Sequence, residues 1–136
     1  MAVSDTTELF ESTVYDPTGP IASGDLSALR FHAVKPHGTT DNSVVGAGAG
    51  AGYGLLANSP TTGLPAKVAI GGVFKARMGA TPGTVKKGTF LKSDASHELV
   101  AADTDEDLYV CMSLQDDPAA AELCIVLVGI GYYAVA

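Results

Sequence analysis

Apolar and polar residues alternate through the middle of the chain in the pattern of half-buried β-strands. Residues 66–70 are apolar at every second position, and residues 74–78 continue the series with the same parity after the Gly71-Gly72 pair. Successive side chains of a strand point to opposite faces of a sheet. The spacing therefore predicts one buried face and an opposite face that carries Lys75 and Arg77.

The last third of the chain contains its most apolar segments, residues 108–114 and 123–128. The second is apolar on both faces, which is typical of a central strand or of one that lies in a subunit interface. The tail from Gly129 to Ala136 is also apolar, so we expect it to pack against something. Because the chain has 16 glycines, 7 prolines and little helical periodicity, we expect an all-β fold, either a small barrel or a sandwich.

The first 24 residues differ from the rest of the chain. They are rich in Thr, Ser, Pro and acidic residues, and the run from Pro17 to Pro20 argues against regular structure. We therefore predict an extended N-terminal arm over residues 1–24 and a β-rich domain over residues 25–136. The arm has two sizeable apolar pairs, Leu9-Phe10 and Val14-Tyr15. It is either a flexible terminus or plain edge strand, or a latch that becomes ordered on a neighbouring subunit or shell.

The net charge of −7 is unevenly distributed along the chain. Residues 94–117 hold eight Asp and Glu side chains and no Lys or Arg, whereas the rest of the chain holds eight Lys and Arg and seven Asp and Glu. This balance argues against a nucleic-acid partner, since phosphates require a basic face. The basic residues of the central strands are separate from the acidic window. Either this is a dipolar surface suited to docking, or it is ordinary solubilising charge.

The expected cellular location rests on the absence of a membrane-spanning segment and of a signal peptide in the sequence. No segment approaches the roughly 20 apolar residues of a membrane span, and the acidic N-terminus has no signal-peptide features. We expect synthesis in a cytoplasm and no membrane partner. Cys111 and Cys124 lie in apolar, strand-like segments, so we expect them to be buried free thiols.

No pattern in the chain predicts catalysis, a cofactor or a metal ion. Residues 103–107 begin like a calcium loop, but position six, normally Gly, is Leu108 and position twelve, normally Glu, is Leu114. The alternating glycines of residues 46–54 are not followed by a helix-forming segment, as a phosphate loop would be. The three histidines lack metal-ligand spacing. We therefore expect no enzyme activity.

The central region has a second informative property, which is the spacing of its small and turn residues. The order G-L-L-x-N-x-P-x-x-G-x-x-A-x-V-A-x-x-G-V-x-K is followed by V-x-x-G-x-x-L-x-S-D-A and then by A-E before an apolar strand. This order resembles the cement or decoration proteins that bind the outside of tailed-phage heads. The resemblance covers roughly residues 25–130. Its residues are Gly54, Leu55, Asn58, Pro60, Gly63, Ala66, Val68, Ala69, Gly72, Val73, Lys75, Val85, Gly88, Leu91, Ser93, Asp94, Ala95, Ala121 and Glu122.

The resemblance implies a small β-barrel or β-tulip-like domain that binds the major capsid protein on the outer surface of the virion, often as a homotrimer. From their expected exposure, we predict shell or subunit contacts by Leu9, Phe10, Val14 and Tyr15 of the arm, and by Lys75 and Arg77 of the central strand. Two alternatives stay open. One is another virion component on the same scaffold, such as a head fibre base, neck or tail protein. The other is an enzyme or a sugar-binding module.

Overall fold

The computed structural model describes residues 12–134, and every regular element in that range is a β-strand, which confirms the all-β prediction. The ten strands are β1 (Val14–Tyr15), β2 (Ile21–Ala22), β3 (Ala33–Pro36), β4 (Ser43–Gly46), β5 (Gly54–Leu56), β6 (Val68–Arg77), β7 (Phe90–Ser93), β8 (Leu99–Ala101), β9 (Leu108–Ser113) and β10 (Leu123–Tyr132).

The strands form a sheet in the order β2-β4-β3-β5-β6-β10-β9-β7-β8, and β1 pairs with β6 off this path. The sheet is not closed into a barrel, in contrast to one form of the predicted fold. Each end of the sheet forms one isolated bridge to a residue that flanks β6. Ile21 of β2 is bridged to Pro65, and Leu99 of β8 is bridged to Met78. Neither bridge extends into a ladder. At one of them Pro65 has no N–H to donate.

Strand β6 divides the sheet into two parts. It pairs with β1 and β5 through residues 68–71 and with β10 through residues 72–77. Gly72 stands at the changeover with a φ of 75°, and a Cβ atom there would collide with the carbonyl oxygen of Ser12. Only glycine fits this backbone. We call β1–β5 with residues 68–71 the first part of the sheet, and residues 72–77 with β7–β10 the second part.

The two parts of the sheet face each other across the larger hydrophobic cluster, which we call the shared core. The first part contributes residues such as Ala33, Leu55 and Ala69, and the second part contributes larger side chains. The buried members from the second part and its flanking loops are Phe74, Ala76, Met78, Val85, Leu91, Leu99, Val110, Cys111, Leu123, Cys124, Val126 and Val128. The folded sheet is therefore a sandwich around one core.

A smaller cluster, the outer core, covers the opposite face of the first part. Chain neighbours divide between the two clusters, so that Leu55 lies in the shared core and Leu56 in the outer core. Ala33 and Val34 divide in the same way. The segment that contains Ala22 and Leu26 covers the outer core. Strand β5 and the start of β3 are consequently buried on both faces.

Part of the predicted N-terminal arm belongs to the sheet of its own chain. The prediction that residues 1–24 lack regular structure is wrong for Val14–Tyr15 and Ile21–Ala22, which pair with β6 and β4. The turn residues on which it relied, Pro17 to Pro20, lie between these two short strands and leave both free to pair. Leu9 and Phe10 lie outside the described residues.

The two cysteines are free and buried, as predicted. Burial raises the pKa of both the Cys111 and the Cys124 thiol. A thiol with a raised pKa is a poor nucleophile, because the reactive form is the thiolate. Both residues therefore act as small apolar residues of the shared core.

Candidate contact surface

The outer face of the second part carries a row of apolar side chains that crosses four strands. Leu127 of β10 is paired with Val73 of β6 on one side and with Met112 of β9 on the other. Phe90 of β7 is in turn paired with Met112. Cross-strand partners lie on the same face of a sheet. The row Val73–Leu127–Met112–Phe90 therefore lies on the face opposite the shared core, and we call it the apolar face.

The apolar face is open to solvent at its centre and along β10. Leu127 is 43% exposed and Ile130 55%. Between Val128 and Gly131, β10 has one residue more than β9, which is a β-bulge, and Ile130 lies within it. A groove of about 190 Å³ follows the face here and is lined by Phe90, Tyr109, Met112, Leu127, Val128, Gly129 and Ile130.

An aromatic pair forms one wall of this groove. The rings of Phe90 and Tyr109 stack with their centroids 4.3 Å apart and their planes 27° from parallel. Gly131 lies opposite Tyr109, and a Cβ atom on Gly131 would collide with the tyrosine ring. Tyr133 meets Phe90 edge-on at 6.4 Å. The absence of a side chain at Gly131 therefore gives the aromatic pair room to lie flat on the sheet.

The loop between β8 and β9 borders the aromatic end of the apolar face with carboxylates. Its backbone is joined to the end of β10, since Glu106 N–H donates to the Tyr133 carbonyl and Tyr133 N–H donates to the Asp107 carbonyl. The Lys92 ammonium lies 3.0 Å from Asp103 Oδ1 and 2.9 Å from Asp107 Oδ2. Hydrogen bonds from Lys92 lower the pKa of both carboxyl groups.

These ion pairs correct the prediction that basic and acidic residues occupy separate surfaces. Lys92 binds two carboxylates of the acidic window, and Lys86 lies 2.7 Å from Asp117 at its other end. Strand pairing brings Lys92 to the acidic loop, because β7 lies between β8 and β9. The dipolar interpretation of the surface is therefore wrong for Lys86 and Lys92.

Of the two arm residues within the described range that were predicted to make contacts, Val14 is exposed and Tyr15 is partly buried. The Tyr15 ring meets the Phe74 ring edge-on at 6.4 Å, and the Lys67 ammonium lies 4.4 Å from its centroid. Tyr15 thus packs against the shared core of its own chain. Val14, at 54% exposure, is available for a contact.

The central-strand residues predicted to make contacts are less exposed than expected. Lys75 is buried, with only 3% of its surface exposed, so the exposure argument fails for it. Arg77 is half-buried, and its Nη1 donates a hydrogen bond of 2.8 Å to the Ala121 carbonyl. The sequence correctly places both side chains opposite Phe74 and Ala76, but alternation does not reveal what covers a face.

The residues of the apolar face were not predicted to make contacts, although the sequence carried a signal for them. Residues 123–128 are apolar at every position, where a strand with one wet face would alternate. The structure explains this pattern. Cys124, Val126 and Val128 point into the shared core, whereas Leu127 points outwards.

Comparison with known proteins adds no family assignment. Neither models of protein families nor curated protein sequences give a match to the chain. Within residues 12–134, no three His, Cys, Asp or Glu side chains are grouped so that they could hold a metal ion. The same range contains no helix long and apolar enough to cross a membrane.

Proposed function

We propose that this chain is a decoration protein of a tailed-phage capsid, which binds the outer surface of the head through its apolar face and stabilises the expanded shell. The observation that carries the proposal is the apolar row across four strands, in which Leu127 is exposed at the centre and Ile130 is exposed beside it. Contiguous exposed apolar surface commonly marks a contact between proteins. The spacing of small and turn residues in the central region supports the choice of partner.

The stabilising mechanism is binding rather than chemistry. A protein that binds only the assembled shell shifts the equilibrium of disassembly towards the shell by mass action. Several weak contacts made by linked copies multiply this effect. The proposed partners are the major capsid protein and further copies of the chain, as a homotrimer, and the proposed location is the outer surface of the virion.

Shape and charge both suit a protein that docks by one face. The chain carries a net charge of −7, which keeps it soluble while an apolar face is open. Carboxylates beside the aromatic end of that face favour a partner surface with basic residues at the matching position. On the opposite side of the molecule, the first part of the sheet is covered by the outer core of the chain itself.

The test is sedimentation of the purified protein with expanded, undecorated capsids of the phage that encodes it. The wild-type chain is expected to sediment with capsids at a fixed copy ratio. The double variant Leu127→Glu, Ile130→Glu is expected to bind at least about tenfold more weakly for each residue. Burying a large apolar side chain contributes about 1.5–3 kcal/mol, and 1.4 kcal/mol corresponds to a factor of ten.

Leu64→Glu is the matched control. Leu64 is 53% exposed, as Ile130 is 55%, but it lies in the loop that precedes β6. Its variant should bind capsids as the wild type does. If the double variant binds equally well, the apolar face is not the contact. If the wild-type chain does not bind capsids at any concentration, the decoration role is wrong, and necks and tails become the next partners to assay.

A further inference from the structure

The run of alternating glycines forms a cap over the shared core. Ala47 is 1% exposed and belongs to that core, and Ala51 packs against it. A Cβ atom on Gly52 would lie 3.3 Å from Val110 Cγ2, so the backbone here lies directly on the core. Gly48, Gly50 and Gly52 all have positive φ angles, which explains the alternation. We call residues 46–52 the glycine cap.

Two side chains from one hairpin hold the glycine cap in place. Ser93 Oγ lies 2.6 Å from the carbonyl oxygens of both Gly48 and Ala51, and Gly50 N–H donates to the Ser93 carbonyl at 2.9 Å. His97 Nδ1 accepts a hydrogen bond of 2.7 Å from Gly48 N–H. Of these groups, the imidazole of His97 is the one that titrates near neutral pH.

The His97 ring fits against the cap closely. A Cβ atom on Gly46 would lie 2.6–2.8 Å from three ring atoms, Nε2, Cε1 and Cδ2, so the ring occupies the space that a side chain would need. The His97 backbone is fixed as well, since its carbonyl accepts the Ala33 N–H at 2.8 Å. With backbone and ring both held, Nδ1 has little freedom to leave Gly48.

We propose that the glycine cap opens in acid because protonation of His97 removes the acceptor that holds Gly48. Nδ1 accepts a hydrogen bond only while it carries no proton, which requires the neutral ring with its proton on Nε2. Addition of a proton to Nδ1 turns it into a donor that faces another donor, the Gly48 N–H. The hydrogen bond is then lost, and the cap is released from the core.

The charged groups around His97 and the burial of its ring determine the pH range in which the cap opens. Burial is the main cause that lowers the pKa of His97, and positive charge at His32 and Lys35 lowers it further, whereas Asp94 and Glu98 raise it. His32 itself lies 3.9 Å from Glu98. A lowered pKa means that the unfolded chain binds the proton more readily. The stabilisation by His97 is therefore complete above about pH 6.5 and declines as the pH falls towards the pKa of the folded state.

The experiment is amide hydrogen exchange of the full chain, followed residue by residue by NMR at about pH 7.5 and at about pH 5. After correction for intrinsic exchange, the protection of Gly48 is expected to fall about tenfold, the equivalent of one hydrogen bond. Gly50 and Ala51 should lose protection with it. Amides of β10 should remain protected, because the opening is local.

Three variants test whether the imidazole of His97 is the cause of the pH-dependent opening. His97→Asn keeps an oxygen acceptor without a titratable group and suits the left-handed φ of 66° at this position; protection of Gly48 should then not depend on pH. His32→Gln removes a nearby positive charge and should move the opening to higher pH. His37→Gln, which alters a partly buried imidazole that accepts hydrogen bonds from the Thr39 and Thr40 N–H groups, should leave the Gly48 profile unchanged.

Two results would overturn the proposal. One is a wild-type Gly48 whose corrected protection is the same at both pH values. The other is a loss of protection that is equal in His97→Asn or that extends equally to β10. The first result shows that the cap does not open, and the second shows that His97 is not its cause.

Discussion

The folded sheet has two outer faces, and the described residues of the chain cover them to different extents. The face of the first part carries Val34, Val44 and Leu56, and the outer core closes over it. The apolar face of the second part carries side chains of similar size, yet Leu127 and Ile130 are about half exposed. This difference in exposure between two apolar surfaces of one polypeptide is the basis for the contact that we propose at the second surface.

The covered face is closed by the end of β2 and the loops near it. Leu26 N–H donates to the Pro60 carbonyl, and Gly63 N–H donates to the Ala22 carbonyl, so the segment that begins at β2 is tied to the loop before β6 over the outer core. These bonds satisfy backbone groups that burial would otherwise leave unpaired. Within the described residues, no comparable pair of loop segments is bonded across the apolar face.

The largest expected effect comes from truncating one leucine on each face. Leu56→Ala should lower the free energy of unfolding by about 2–5 kcal/mol, because Leu56 is fully buried and its loss leaves a cavity. Leu127→Ala should cost less than about 1 kcal/mol, because much of that side chain is already in water. Urea denaturation of the two variants and the wild type measures both values.

Equal losses of stability for these two variants would mean that Leu127 is covered by its own chain in solution and that the two faces do not differ. A Leu127→Ala variant that unfolds like the wild type but binds capsids weakly would show that this side chain acts on binding and not on folding.

A smaller effect is expected at the glycine that divides the two faces. Gly72→Ala places a Cβ atom against the Ser12 carbonyl at a φ of 75°, which should cost about 1–3 kcal/mol. Gly88→Ala is the matched control, since Gly88 also has a positive φ, of 94°, but would meet no atom within 4 Å. Thermal unfolding of both variants separates the cost of the dihedral angle from that of the collision. If Gly72→Ala is no less stable than Gly88→Ala, close approach of Ser12 is not what requires glycine at the division.

The sequence predicts much of the fold because each strand can be recognised from the alternation of apolar and polar residues within it. The alternation at residues 66–78 correctly places Val68, Phe74 and Ala76 inside, with the same parity before and after the glycine pair. It does not predict that the even-numbered side chains change from the outer core to the shared core at Gly72. That change depends on a bend in the backbone, which leaves the period of the pattern intact.

The contact surface is less predictable than the fold because exposure depends on distant segments. A strand that is apolar on both faces, such as residues 123–128, fits a central strand and an interface equally well. The role of the alternating glycines is hidden for the same reason, because the residues that hold the cap, Ser93 and His97, lie about 45 positions further along the chain. Local pattern identifies buried residues, and tertiary pairing determines what they contact.

The smallest expected effect concerns the polar border of the apolar face. Lys92 lowers the pKa of Asp107, so the stabilisation from this carboxylate is present above its ordinary pKa of about 3.9 and is lost as the pH falls through the lower, folded-state value. Lys92→Met should raise the pKa of Asp107 and make the stability of the protein less dependent on pH below about pH 4. Carboxyl chemical shifts followed by NMR during an acid titration measure the pKa directly.

Lys86→Met provides the control for this border, because it breaks a pair with Asp117 in which both side chains are more than half exposed. Exposed pairs contribute little to stability, whereas the Lys92 side chain is only 23% exposed and joins two carboxylates. An unchanged Asp107 pKa in Lys92→Met would show that the backbone N–H bonds from Thr104 and Asp103 to this carboxylate, and not Lys92, lower its pKa. A raised pKa that accompanies unchanged capsid binding would assign Lys92 to holding the loop at the border and leave the contact itself to the apolar row.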